Sequence, residues 1–333
     1  MKITVSKKYQ SKLDTLETQI AIKKLKDFFE RELGRELNLI RVSAPLFVDP
    51  KTGLNDNLNG TERPVSFTTY DNQEVQIVQS LAKWKRMALY RYGIKEGMGL
   101  YTDMNAIRRD EIVDKLHSYY VDQWDWEKVI SKKDRTLEVF KSIVERIYSV
   151  LKSTDEFIST EYPMLSKELP ATIFFISSQE LEDMYPHLTP KEREDEICKK
   201  YKAVCVTQIG KQLKSGQIHD GRAPDYDDWE LNGDILVYND ILDCSYELSS
   251  MGIRVDKESL IKQLTITNDK DRLELEYHKM IVGEVLPYTI GGGIGQSRLC
   301  MFFLEKAHIG EVQSSVWPEE MIKECQQENI ILL

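Results

Sequence analysis

The run Thr289–Leu299, TIGGGIGQSRL, sets four glycines just ahead of one arginine. Glycine lets backbone come close to a ligand or to another strand, because no Cβ stands between them. A short apolar approach, Val285–Tyr288, precedes the run and an apolar stretch, Leu299–Leu304, follows it. The order reads as strand, glycine corner and helix. Arg298 then falls in a first helical turn, where free N–H groups and the helix dipole already attract an anion. A tight turn with a surface arginine fits the same letters. No Lys-Ser/Thr pair follows the glycines and the run lies late in the chain, so it is neither a Walker loop nor a dinucleotide fingerprint.

Other groups with possible chemistry are spread along the chain. Asp234 and Glu247 fall in two strand-like runs, Leu231–Tyr238 and Leu242–Val255, that read as neighbours. Two carboxylates brought together suit Mg²⁺, which takes a few hard oxygens plus the phosphates of a nucleotide; two separate surface carboxylates are the plainer reading. Within Ser118–Glu127, Gln123 and Asp125 share a face because strand side chains alternate. That face is either a pocket floor between tryptophans or the solvent side of an edge strand. Lys83, Lys85 and Arg86 crowd one short helix of an acidic chain. A solvated face is the usual reason, and a lysine turned inward toward an anion is the sharper one. Asp56 lies in a turn-rich loop over 49–60, the kind of segment that carries ligand groups.

These groups need a scaffold. Apolar residues at spacings of three and four predict an amphipathic helix over 8–33 that stops at Gly34. A strand ending at Pro45 follows, then a hairpin of Val65–Phe67 with Glu74–Val78 around Asp71-Asn72, a helix over 79–90, and a strand from Gly99 into the charged loop Arg108–Glu111. Residues 127–160 read as helical and 171–177 as a strand. Helices at 179–184 and 190–201, a strand at 203–209, a helix from Asp256 to about Leu264 and another over 269–285 complete the pattern. The strands are joined without a regular βαβ rhythm. The expectation is an α+β protein with a mainly antiparallel sheet flanked by helices, one domain over 1–333.

The bulk numbers narrow the class. At 333 residues, 41% hydrophobic and 30% charged, the chain can bury a sizeable core. A net charge of −10 argues against a nucleic-acid grip over the whole surface. No apolar run is long enough for a bilayer, and Met1–Val5 shows no signal-peptide core. Five scattered cysteines without a C-x-x-C pair suggest a reduced cytoplasmic protein with neither disulfides nor zinc.

Three signals then line up in order: a long helix leading to a strand that ends in Pro45, a strand leading to Arg108-Arg109-Asp110-Glu111, and a strand, glycine run and helix carrying Arg298. This resembles the three motifs of the class II aminoacyl-tRNA synthetase catalytic fold. The blocks SLAKWKR (80–86), VDQWDWE (121–127), RAPDYDDW (222–229), ELSSMGIR (247–254) and TIGGGIGQSR (289–298) narrow the likeness to the ammonia-dependent asparagine synthetases, the aspartate–ammonia ligases. It covers nearly the whole chain.

That resemblance implies a cytoplasmic homodimer built on an eight-stranded, mainly antiparallel sheet, and the conversion of aspartate, ATP and ammonia, with Mg²⁺, to asparagine, AMP and pyrophosphate through β-aspartyl-AMP. Attack on phosphorus needs clamped phosphates and neutralised charge. By resemblance Arg108, three before Glu111, meets the α-phosphate, and Arg298 meets the nucleotide's far end or the adenine face. Glu111, Arg222, Tyr226, Leu248 and Ser249 belong to the nucleotide pocket. Asp234, Glu247 and Ser250 are the metal candidates. Lys85 holds an aspartate carboxylate, and Ser80, Asp56, Gln123, Asp125 and Asp227 hold the rest of the amino acid or receive ammonia, with Asp56 and Asp227 the candidate bases. Residue 2 is Lys2 and no cysteine sits where a glutamine-cleaving thiol would, so nitrogen is expected to arrive as ammonium. A tRNA-charging enzyme would share the fold but need an anticodon-gripping domain for which no room is seen. An amino-acid or nucleotide sensor would have lost a clamp arginine or the acidic pair.

Overall fold

The computed structural model describes residues 9–56, 58 and 62–333. Met1–Val5, the first residue of the predicted opening helix, and Asn57, Asn59 and Gly60 of the turn-rich loop lie outside the described residues.

Helix α1 (Thr15–Leu37) opens on a reciprocal cap: Glu17 N–H donates to Asp14 Oδ1 (2.8 Å) and Asp14 N–H to Glu17 Oε2 (3.0 Å). It does not stop at Gly34. It runs to Asn38, whose φ of 60° supplies the left-handed turn that closes the last carbonyls. Strands β1 (Leu39–Arg41), β2 (Phe47–Val48), β3 (Ser66–Thr68) and β4 (Glu74–Ile77) follow, then α2 (Ala82–Arg91), β5 (Gly99–Ile107) and β6 (Tyr120–Val129). Next come α3 (Leu137–Glu161), β7 (Phe174–Ser177), α4 (Ser178–Met184), α5 (Pro190–Tyr201), β8 (Ala203–Thr207), β9 (Asp227–Asn239) and β10 (Cys244–Arg254). The chain finishes with α6 (Lys257–Ile266), α7 (Glu276–Val282), β11 (Thr289–Gly295), α8 (Gln296–Phe303) and α9 (Glu319–Gln327).

Strands β2, β4 and β3 form a small antiparallel sheet, which includes the expected hairpin. The main sheet has eight strands in the order β1-β5-β6-β11-β10-β9-β8-β7. It is mixed, which corrects the expectation of a mainly antiparallel sheet. The six inner strands β5-β6-β11-β10-β9-β8 pair antiparallel, whereas β1 joins β5 and β7 joins β8 in parallel. Each edge strand returns through a long connection, which permits parallel pairing where a hairpin would not.

Two sequence expectations fail for a shared reason. The glycine run is no corner: Thr289–Gly295 is itself a central strand, flanked by β6 and β10. The region 127–160 is not one helix either, because β6 continues to Val129 and α3 begins only at Leu137. Pairing with β11 extends β6 through residues whose local preferences are ambiguous, so tertiary contact overrides propensity. Likewise 269–285 splits into a short 3₁₀ turn and α7.

The sheet has a dry side and a wet side. Trp124, Trp126, Met251, Ile290 and Ile294 alternate onto one face and pack with Phe29 and Leu33 of α1, Phe140 and Ile147 of α3, and Leu299 and Phe303 of α8. Gln123, Asp125 and Glu127 point to the other face, which α2 partly covers. Among the described residues no helix is long and apolar enough to cross a membrane.

Candidate active site

Strand β11 is the floor of the site. Its register places Gly291 opposite Glu127, Gly293 opposite Asp125 and Gly295 opposite Gln123. Opposed residues share a face, so three successive wet-side positions of a central strand carry no side chain. None of the three has positive φ; glycine is needed here for space. A Cβ on Gly291 would lie 1.9 Å from Glu127 Oε2, and one on Gly293 would lie 2.4 Å from Gln123 Oε1. The polar groups of β6 therefore lean across β11.

The register continues sideways. Asp125, Gly293, Ser250 and Asp234 stand in one row over β6, β11, β10 and β9. At about 4.8 Å per strand the row spans about 14 Å. A bulge between Glu247 and Ser249 inserts Leu248 and resets the alternation. Without it, Glu247 and Ser250 would point to opposite faces. With it, Glu247 joins Ser250 near Asp234. Ser249 is turned the other way, opposite Ile294, and is buried. The expectation that Ser249 touches a nucleotide is corrected: it lies on the dry face.

Helix α2 supplies the cation at one end. Lys85, 1% exposed, donates from Nζ to Gly292 O (2.8 Å) and pairs with Asp125 Oδ2 (3.1 Å). Burial lowers its pKa, against the opposing pull of Asp125. Asp125 Oδ1 is buried without a partner. The other two cations of the basic helix are structural. Lys83 pairs with buried Asp225 (3.2 Å), and Arg86 donates to Pro287 O and Val255 O.

Arg254 is the hub that sequence reasoning missed. Fully buried, it donates from Nε and Nη2 to Glu127 (2.9 and 2.7 Å) and from Nη1 to Asp227. Burial raises the Asp227 pKa, opposed by Arg254 and Arg222. Glu127 also had a readable signal, because it continues the alternation of Gln123 and Asp125. Asp225 was missed too; Lys83, Arg272 and His278 surround its carboxylate. Asp56 shows one buried, unpartnered oxygen, Oδ2, and burial raises its pKa.

A cavity of about 440 Å³ joins these groups. Asp56, Ser80, Lys85, Gln123, Asp125 and Asp227 line it, together with Arg108, Glu111, Arg222, Tyr226, Glu247, Leu248, Ser250 and Arg298. The two arginines from distant parts of the chain thus face one space. Arg108 lines the cavity and Arg109 does not; Arg108 Nε is buried without a partner. Arg298 donates from Nη1 to Glu247 O (3.0 Å), which leaves the rest of its guanidinium toward the cavity.

One backbone N–H at the start of α8, where an anion was expected, is already answered from inside the protein, and the Gln296 side chain is also engaged. Ser297 N–H donates to Asp122 Oδ1 (3.1 Å), and Gln296 Nε2 donates to Asp103 Oδ1 (3.1 Å).

Asp234 lies beneath Arg222, which donates to it, and is not itself part of the lining. Burial raises the Asp234 carboxyl to about 8, with Arg222 opposing and Glu247 adding to the rise. Two carboxylates and the Ser250 hydroxyl are hard oxygens of the kind Mg²⁺ takes. Among the described residues no group of three or more His, Cys, Asp or Glu side chains gathers as a metal site. A cation there would have to take its remaining ligands from phosphate and water, and Asp234 would have to exchange Arg222 for it.

The family model for aspartate-ammonia ligase matches residues 16–329. The aspartate–ammonia ligase of Fusobacterium nucleatum is 65% identical over 325 residues, covering 98% of this chain and 99% of its own. That of Clostridium tetani is 62% identical over 334 residues, covering 100% of this chain and 98% of its own. Among solved structures, the asparaginyl-tRNA synthetase of Pyrococcus horikoshii complexed with asparaginyl-adenylate superposes with a TM-score of 0.64 at 16% identity, covering 90% of this chain and 70% of that one. An aspartyl-tRNA synthetase of Entamoeba histolytica gives 0.60 at 14% identity, over 92% and 63%. The last two establish the fold alone, a class II synthetase-like architecture. The full-length matches at 62–65% identity go further: the chain belongs to the aspartate–ammonia ligase family.

Proposed function

We propose that this protein makes L-asparagine from L-aspartate and ammonia, driven by ATP, through β-aspartyl-AMP, releasing AMP and pyrophosphate. Family membership supports the overall reaction. The observation that carries the site reading is that Arg108 and Arg298 line the same cavity as the buried Lys85–Asp125 pair. Lys85 is the seat for an aspartate carboxylate, and Asp125 Oδ1, Gln123 and Ser80 take the remaining polar atoms of the amino acid. The β-carboxylate then attacks the α-phosphorus, whose growing charge Arg108 neutralises. Arg222, Glu111, Tyr226, Leu248 and Arg298 hold the rest of the nucleotide.

Mg²⁺ held by Asp234, Glu247 and Ser250 would supply charge neutralisation at the phosphates. Ammonium must lose a proton before it can displace AMP. An ordinary carboxylate is a weak base for that purpose, and burial improves it. Asp56 is favoured over Asp227, because Asp56 Oδ2 has no partner whereas Arg254 already holds Asp227. We read the chain as one catalytic domain, cytoplasmic and dimeric. The exposed edge strand β1 and the exposed apolar Ile40, Leu46 and Phe47 beside it support a subunit contact.

The test is direct. Protein, Mg-ATP, aspartate and ¹⁵N-ammonium should yield AMP and side-chain-labelled asparagine in equal amounts. AMP formed only when tRNA is added would replace this reading with a charging enzyme. No AMP under any condition would replace it with a sensor. Efficient use of glutamine would overturn ammonia as the nitrogen source.

A further inference from the structure

The cavity lining includes residues to which the reaction above gives no role. The lining also includes Leu116, Ile309 and Gln313, and Gln313 bonds to Ser297, the residue just before Arg298. Ile309 N–H donates to Lys115 O (2.9 Å), so the two apolar residues are tied into one wall. Gln313 is 5% exposed. Its Nε2 donates to Asp122 Oδ1 (3.2 Å) and to Ser297 Oγ (3.1 Å). Asp122 is itself paired with Lys26 (3.1 Å). A carboxylate accepts only, so the amide nitrogen must be the atom that faces it. That locks the orientation of the amide and leaves Oε1 as the free end. Gln313 Oε1 is buried and has no partner. Leaving a buried acceptor unmade is costly, so the site asks for a donor from a ligand.

We propose that Gln313 reads the nucleotide base: its Oε1 accepts a hydrogen bond from the exocyclic amine of adenine and disfavours purines that carry an oxygen there. This rests on the ATP-dependent reading above. The flat base fits the apolar wall of Leu116 and Ile309, and Arg298 offers a planar cation to its face. An oxygen at the purine 6-position would bring two acceptors together with no proton between them. Gln313 is a specificity-determining residue that takes no part in the chemistry of the phosphorus.

The experiment compares ATP, inosine triphosphate and purine riboside triphosphate, the last having no 6-substituent, in turnover and in equilibrium binding. The wild-type protein should bind purine riboside triphosphate roughly tenfold more weakly than ATP, and inosine triphosphate weaker by roughly tenfold or more, as expected for one buried hydrogen bond lost or opposed. Gln313→Met should bring the three nucleotides to within about threefold, chiefly by weakening ATP, with the KM for aspartate unchanged. The ratio is internal to each variant, so partial loss of folded protein does not alter it. If Gln313→Met fails to fold, the wild-type series still decides: equal affinity for ATP and purine riboside triphosphate overturns the proposal. So does a Gln313→Met protein that keeps the full preference for ATP. A wild-type protein that binds ATP selectively yet makes no asparagine removes the reading of the reaction and leaves this one standing.

Discussion

Gly293 and Asp125 face each other across the β11–β6 ladder, and a Cβ on Gly293 would stand 2.9 Å from Asp125 Oδ1 and 2.4 Å from Gln123 Oε1. The absent side chain is what lets both groups lie over the strand. Gly293→Ala should therefore fold, because the displaced atoms are the far ends of side chains, yet raise the KM for aspartate by about tenfold or more through misplacement of those groups. Steady-state kinetics with aspartate varied checks this, and an unchanged KM would remove Gln123 and Asp125 from the amino-acid site.

Gly292→Ala should behave in the opposite way. Its Cβ would meet Met251 Cβ at 2.5 Å and Ser250 O at 2.7 Å, on the dry face of the sheet. Overpacking against backbone and a fixed β-carbon should destabilise by about 1–3 kcal/mol or more. Urea unfolding of the variant reads this as a lower midpoint, and a normal midpoint would contradict the described packing.

Lys85→Met and Arg298→Ala should each lower kcat/KM by roughly 10²–10³ while the far-UV circular dichroism stays native, as expected when one preorganised charge is lost from a site. Lys85→Met should act mainly through aspartate and Arg298→Ala mainly through ATP. Near-normal turnover in either would break the assignment.

Arg254→Met leaves Glu127 and Asp227 buried without their shared cation. Breaking such a pair from one side costs about 3–5 kcal/mol. Calorimetry should show a lower Tm before any effect on chemistry is considered; a Tm equal to wild type would mean that Arg254 is not the structural hub.

Asp234 gives the pH dependence. Its carboxyl is raised from 3.8 in the open chain to about 8 in the fold. The native state therefore binds the extra proton between those values, so this group's contribution is complete below about 4 and is lost as the pH rises through about 8. The Tm of the ligand-free protein should fall between pH 5.5 and 8.5, and fall less in Asp234→Asn. Mg-ATP should restore the wild-type Tm at pH 8.5 more than at pH 5.5. Equal slopes for wild type and Asp234→Asn would exclude this origin.

What the sequence determined by itself was chemical identity. The blocks around Lys85, Gln123–Asp125, Arg222, Glu247 and Arg298 carry enough distinct residue types to name the family, and alternation alone put Gln123 and Asp125 on one face. The period of apolar residues placed α1 but missed both ends: the helix begins at Thr15, after the Asp14 cap, rather than near residue 8, and it runs four positions further at the C-terminus, because Asn38 and not Gly34 provides the left-handed turn. Tertiary structure decided everything that depends on partners across the sheet. Glycine-rich Thr289–Gly295 is a strand because β6 and β10 flank it, and nothing in seven nearly featureless residues announces those neighbours. The bulge at Leu248 brings Glu247 round to Ser250 and turns Ser249 away, a one-residue event invisible to a period-two reading. Arg254 and Gln313 were unmarked for the same reason. Their importance lies in contacts with residues far off in the chain, and such contacts exist only once the sheet has brought the distant segments together.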